Sequence, residues 1–323
     1  MIESADSQGD GSMTADVPDS IQFLHNTEIG LGAWSWGDRM VWNYGKGYSD
    51  ADIEAGFKIS LENGVHFVDT AEIYGNGRSE RLLGQFLKRT DTPVIVATKF
   101  FPLPWRLSKA SVTRALRASL ERLGLERVDL YQIHWPSPLV PVERYVEGLV
   151  SAHRLGLTRA VGVSNYNKNQ MQRAYTVLSR YEIPLASNQV EYNLLNRTVE
   201  KNGLLARCQE LGIRLIAYSP LAMGLLSGKY SPENPPPGMR AGKYAGVLKE
   251  MLPLIKILTE IGQDLGGKTA SQVAINWCIC KGALPIPGAK NVRQAEMNAG
   301  AAGWRLTPEQ VKALDDASNP FTR

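Results

Sequence analysis

VHFVD (Val65–Asp69), VIVATK (Val94–Lys99) and VDLYQIH (Val128–His134) are three apolar, β-branched runs, and each closes on a polar residue that chemistry can use. Runs of this length and composition read as buried strands. Helical spacing fills the gaps between them, at Ser79–Arg89 and then at Ser108–Leu123, where Ser108 stands at a cap position and Gly124 at a stop. Asp69, Lys99 and His134 therefore recur after 30 and 35 residues, one strand and one helix apart.

The same alternation extends in both directions. Asp50–Asn63 has helical spacing ahead of the first run. After His134 come a helix at Val142–Leu155, a strand at Arg159–Val163, a helix at Lys168–Ser179 and a strand at Leu185–Gln189. A helix near Val199–Leu211 and a strand at Ile213–Ala217 follow. Helices at Met251–Ile261 and Ser271–Lys281, a short strand at Ala283–Ile286 and a helix at Val292–Ala299 complete the series. The missing first strand fits best at Thr27–Leu31. Eight strands, each followed by helix, predict an α/β fold of the (β/α)8 TIM barrel type rather than an open sheet. Thr307–Ala317, with Pro308 in its first turn, is expected as an additional C-terminal helix.

A chain of 323 residues that is 43% hydrophobic can bury one large core. The division expected is a flexible acidic tail at residues 1–20, which holds five acidic residues and no Lys or Arg, followed by a single barrel domain over residues 21–323. No run approaches eighteen apolar residues, so no membrane span is expected, and the absence of an export pattern points to the cytoplasm. The net charge of +4 is spread among acidic residues, which argues against nucleic acid as a partner. Cys278 and Cys280 form a C-x-C within an apolar helical pattern and have no second ligand pair, so they read as buried thiols and no metal site is expected. A monomer or weak homo-oligomer is expected.

The barrel brings Asp69, Lys99 and His134 to one rim, and Tyr74 extends from the loop after Asp69. A phenol donates a proton readily at neutral pH, and a neighbouring Lys99 ammonium is expected to lower its pKa and poise it for transfer in both directions. Asp69 would fix the ammonium. His134 would hydrogen-bond a carbonyl or relay a proton. This set suits hydride addition to a carbonyl, where a developing alkoxide needs a proton and nearby positive charge. Carbonyl enolisation would suit it too, without a nucleotide. Ser164, Asn165 and Gln189, with the ring of Tyr218, offer a place for an amide-bearing base such as nicotinamide. No G-x-G-x-x-G is present, so a Rossmann site is disfavoured, and phosphate is expected at Ser219–Gly228 and Pro285–Asn298. Trp34, Trp36, Trp105 and Trp135 would wall a substrate pocket, with packing of the rim the alternative for Trp36 or Trp135. Arg106 and Arg240 could contact an anionic substrate, though exposure to solvent is the reading favoured for either.

These segments, with GLGAWSWG (Gly30–Gly37), DTAEIYGNGRSE (Asp69–Glu80), DLYQIHWP (Asp129–Pro136), VGVSNY (Val161–Tyr166), SNQVEYN (Ser187–Asn193), AYSPLAMGLLSGKY (Ala217–Tyr230) and PIPGAK (Pro285–Lys290), resemble the aldo-keto reductase superfamily along residues 21–318. The resemblance is greatest to cyanobacterial and plant plastid members of the branch that includes potassium channel β subunits. It implies an NADPH-dependent oxidoreductase that reduces aldehydes or ketones, with Tyr74 as general acid and Asp69, Lys99 and His134 in support. It also implies NADPH/NADP+ contacts from Ser164, Asn165, Gln189 and Tyr218 at the nicotinamide. Ser219, Leu221, Gly224 and Leu225 would lie at the pyrophosphate, and Gly288, Lys290, Gln294 and Asn298 at the adenosine phosphate. Many relatives carry Arg where this chain has Gln294, which would leave the 2′-phosphate mainly to Lys290, helped by Arg293. The branch admits an alternative, a nucleotide-binding regulatory or redox-sensing subunit with slow residual activity.

Overall fold

In the computed structural model, which describes residues 17–39, 41–236, 242 and 246–321, eight parallel strands follow one another in chain order around a barrel. They are β1 (Gly30–Gly32), β2 (Phe67–Asp69), β3 (Ile95–Phe100), β4 (Val128–Ile133), β5 (Thr158–Ser164), β6 (Leu185–Glu191), β7 (Arg214–Tyr218) and β8 (Leu284–Pro285). The ring closes beyond β8, where Gly32 bridges Gly288 and its N–H donates to the Pro287 carbonyl at 3.1 Å. Only a residue without a Cβ suits position 32, because a methyl there would sit 2.7 Å from the Ile286 carbonyl oxygen.

Period-2 alternation sorts each strand into two faces. Phe67, Ala97, Leu130, Ala160, Ala186, Ile216 and Leu284 fill the barrel interior, and Ile21 and Leu24 from the turn Asp19–His25 join them. The outward residues, among them Val68, Tyr131, Val161 and Leu215, pack against the helices in a second and larger core. The stretch expected to be a flexible tail lies outside the described residues up to residue 16, and Asp19 and Ser20 already belong to the first turn.

Helices Asp50–Glu62, Arg78–Leu87, Lys109–Leu123, Val142–Arg154 and Lys168–Ser179 fall within one or two residues of the positions read from the spacing. Reciprocal capping boxes start four of the helices, at Ser49/Asp52, Asn167/Gln170, Thr269/Gln272 and Thr307/Gln310. Ser108 does stand at a cap position, but its Oγ faces Ser111 Oγ at 3.2 Å and caps no backbone group. The helix expected over Val199–Leu211 is two, Thr198–Lys201 and Leu204–Glu210, broken where Gly203 turns left-handed (φ 72°). Pro308–Ser318 is the additional C-terminal helix, and Trp277 Nε1 donates to its Asp315 at 2.9 Å.

Candidate active site

The C-terminal ends of β2, β3 and β4 deliver Asp69, Lys99 and His134 to one side of the barrel mouth, as strand polarity requires. Asp69 and Lys99 are almost fully buried. An unpaired ammonium at such depth would cost several kcal/mol. Lys99 Nζ instead donates to Asp69 Oδ1, to the Thr70 carbonyl at 2.9 Å and to the Tyr74 hydroxyl at 3.3 Å. Burial works against the Lys99 charge, but Asp69 and Tyr74 more than offset it and raise its pKa above the ordinary value. The ammonium is therefore a fixed charge beside the phenol.

For Tyr74 the electrostatic balance differs from the sequence expectation. Burial raises its pKa above 10.0; Lys99 lowers it, Asp69 raises it again, and the result stays above the usual value. The ammonium is already partnered by a carboxylate, so the phenol feels a dipole rather than a bare cation. Tyr74 is thus held as the protonated acid.

Burial, and secondarily the Lys99 charge, hold the pKa of His134 well below 6.5. Its ring meets Tyr74 and Phe101 edge-on, each at 5.6 Å between centroids, and Nδ1 is buried with no hydrogen-bond partner. A neutral imidazole can donate one hydrogen bond to a carbonyl oxygen, which favours that role for His134 over the relay of a proton.

The polar residues of the next strands are knitted to this set. Gln189 Nε2 donates to Asp69 Oδ2 at 2.8 Å, and Ser164 Oγ donates to the Gln189 carbonyl at 2.8 Å. Asn165, in the left-handed region at φ 61°, donates to the His134 carbonyl at 3.0 Å and accepts from the Tyr218 hydroxyl at 3.0 Å. Burial, then Glu191 and Tyr74, push the Tyr218 phenol up to about 12, so its ring is neutral. Gln132 was missed by the sequence analysis. Its Nε2 lies 3.4 Å from Asp69 Oδ2, and its Oε1 accepts from Ser187 Oγ at 3.2 Å. The signal was available, since Gln132 shares the inward face of β4 with Leu130, where an apolar residue is the rule.

A cavity of ≈ 530 Å³ runs from Tyr74, His134 and Trp135 past Tyr218 to Lys290 and Asn298. It is lined by every residue named for catalysis or cofactor except three: Lys99 lies behind Asp69 and Tyr74, the Leu225 side chain is buried in the core, and Arg293, expected to help at the 2′-phosphate, is not part of the lining. Trp34, Asp38, Trp42, Met223, Lys229, Tyr230 and Met297 line it as well, and of these Asp38, Trp42 and Met297 fall outside the quoted family segments. Ser219, Ala222 and Met223 all have positive φ without being glycine, ahead of Gly224 at φ 93°. Such strain persists where structure is tightly determined, commonly at ligand clamps. Lys290 Nζ rests 4.4 Å from the Trp42 ring centroid and 4.8 Å from that of Tyr48, while Gln294 Oε1 accepts the Lys290 backbone N–H at 2.9 Å. Gln294 thus supplies no charge to this end.

The tryptophans divide. Trp34 and Trp135 line the cavity, whereas Trp36 is fully buried against Phe57 and Phe86, and Trp105 is 73% exposed. Arg106 is spent on Glu72 rather than offered to an anion, and Arg240 lies outside the described residues. Among the described residues no group of three or more His, Cys, Asp or Glu could hold a metal ion, and no helix is long and apolar enough to cross a membrane.

Comparison with known proteins gives the same outline. A pyridoxal reductase, chloroplastic, from Arabidopsis thaliana is 43% identical over 91% of this chain and 84% of its own length. The glycerol dehydrogenase of Gluconobacter oxydans superposes with a TM-score of 0.79 at 29% identity, over 91% of this chain and 92% of its own. An aldo-keto reductase of Klebsiella pneumoniae, solved in complex with NADPH, superposes with a TM-score of 0.70 at 28% identity, over 90% of each chain. The Aldo/keto reductase family profile matches residues 28–319, and the chain belongs to that family.

Proposed function

We propose that the chain reduces an aldehyde or ketone to the alcohol with NADPH, and that Tyr74 gives the proton. The observation that carries this assignment is the Tyr74 hydroxyl within 3.3 Å of the Asp69-paired Lys99 ammonium, at one end of a cavity that reaches Lys290. Family membership makes the protein an NADP-dependent oxidoreductase. Bound NADPH supplies the hydride.

The residues of the chain do the rest. Tyr74 hydrogen-bonds the carbonyl oxygen and passes its proton as negative charge develops there. Lys99 stabilises the phenolate left behind, and Asp69 keeps Lys99 in place. A buried N–H without an acceptor is rarer than a buried lone pair, so the unpartnered Nδ1 leaves Nε2 to carry the His134 proton toward the substrate. Ser164 Oγ, the free oxygen of Gln189 and the amide of Asn165 suit a carboxamide, and the neutral Tyr218 ring suits a face against it. Ser219, Leu221, Gly224 and the Leu225 backbone are assigned to the pyrophosphate. Gly288, Lys290, Gln294 and Asn298 are assigned to the adenosine phosphate, where the Lys290 ammonium favours NADPH over NADH.

Ile73 and Trp135, next in sequence to Tyr74 and His134, line the cavity at its substrate end, which suits a flat aromatic aldehyde. The plastid relative is named for pyridoxal, an aldehyde of that shape, and its 43% identity supports pyridoxal here and a place beside the plastid members of the channel β-subunit branch. The protein is taken to work as a cytoplasmic monomer or weak homo-oligomer. Purified protein should oxidise NADPH on addition of pyridoxal or a simple aromatic aldehyde. Absence of NADPH oxidation over a panel of aldehydes and ketones would refute the assignment.

A further inference from the structure

Glu72 stands two residues before Tyr74, on the same loop, and its side chain is only 9% exposed. A carboxylate buried this deeply needs partners. Oε1 accepts from the Phe101 backbone N–H at 2.7 Å and from Arg106 Nη1, and Oε2 accepts from Arg106 Nη2 at 3.1 Å. Arg106 Nη1 also donates to the Phe101 carbonyl at 3.0 Å, and the Tyr145 hydroxyl donates to the Arg106 carbonyl at 2.6 Å. A two-pronged guanidinium therefore joins the loop after β2 to the loop after β3. A planar fork on a carboxylate fixes orientation as well as distance.

The connection forms a circuit. Phe101, gripped on both sides by the pair, meets the His134 ring edge-on, and His134 in turn meets Tyr74 edge-on. From Tyr74 the chain returns through Ile73 to Glu72. The two groups that must address one carbonyl oxygen thus sit at the ends of β2 and β4, and Glu72 with Arg106 is a polar tie from the Tyr74 loop to the intervening loop after β3, whose Phe101 packs on His134.

We propose that the Glu72–Arg106 pair is a positioning latch for the reaction, setting Tyr74 against His134 without touching substrate or cofactor. The proposal rests on Tyr74 being the acid. A small displacement of a proton donor can cost orders of magnitude in rate while binding survives. The effect should fall on kcat, because neither residue lines the cavity.

The test uses Arg106→Met, Arg106→Lys and Glu72→Gln in the full chain, with wild type and Tyr74→Phe in the same series. Arg106→Met is expected to lower kcat roughly tenfold or more, with NADPH affinity by fluorescence titration changed less than about twofold. The primary isotope effect on kcat from deuterated NADPH should rise, since the chemical step becomes slower relative to release. Arg106→Lys keeps the charge without the fork and should fall between Met and wild type. A kcat and isotope effect like wild type in both Arg106→Met and Glu72→Gln would overturn the latch. So would a kcat loss that merely tracks the folded fraction, with Lys no better than Met. Full activity in Tyr74→Phe would instead overturn the acid assignment, so the two failures are distinguishable.

Discussion

At the scale of the residue, the site works by keeping groups in one protonation state. Burial and Lys99 hold His134 neutral, while burial, opposed only in part by Lys99, keeps Tyr74 protonated above the ordinary phenol range. Reductive kcat should therefore be flat from about pH 6 to 8, because neither group titrates there. A pH-rate profile checks this, and an inflection near 6.5 that vanishes in a His134 variant would contradict it. Stability should respond differently. His25 and His153 are also depressed, His25 by burial and then Arg214, His153 by burial. Below about pH 6.5 the unfolded chain takes up protons on these rings that the folded chain resists, so stability should fall as the pH drops from there. Thermal midpoints taken from pH 7.5 down to pH 5 would show a decline.

At the scale of the element, strand ends and helix spacings were legible because they are local. Val128–Ile133, Lys168–Ser179 and Val292–Ala299 form where periodicity placed them. Asp69, Tyr74, Lys99 and His134 could be assembled from a rule about which strand ends face the mouth, since that rule needs no long-range detail. What escaped was set by partners distant in sequence. Burial outweighs Lys99 in setting the Tyr74 pKa, Arg106 pairs with a residue 34 positions away, and Trp36 packs against Phe57 and Phe86 rather than in the pocket. The break at Gly203 is a local signal that an amphipathic pattern overrode. The short β1 and β8 depend on close approach more than on propensity, which makes Gly32 the sensitive position. Gly32→Ala places a methyl 2.7 Å from the Ile286 carbonyl oxygen, and a loss of about 1–3 kcal/mol in urea unfolding is expected. An unchanged midpoint would show that the closing strands yield easily.

At the scale of the whole molecule, the barrel divides its labour between its two ends. The mouth carries the polar groups and the cavity, while the interior below is apolar and is stopped by Ile21 and Leu24 from the N-terminal turn. Leu24 is fully buried, so Leu24→Ala should cost about 2–5 kcal/mol in unfolding free energy while leaving the NADPH affinity of the folded protein unchanged. Loss of cofactor binding at a temperature where the variant is folded would mean that the floor and the mouth are coupled. The molecule as a whole is a scaffold that presents one acid to one carbonyl beside a bound nucleotide. The most direct test is Tyr74→Phe, which keeps the ring and removes the proton. With NADPH titrated by fluorescence and aldehyde reduction followed by NADPH loss, kcat should drop about 10²–10⁴-fold while cofactor affinity stays near wild type. Reduction within a few-fold of wild type would contradict the role of Tyr74 as general acid.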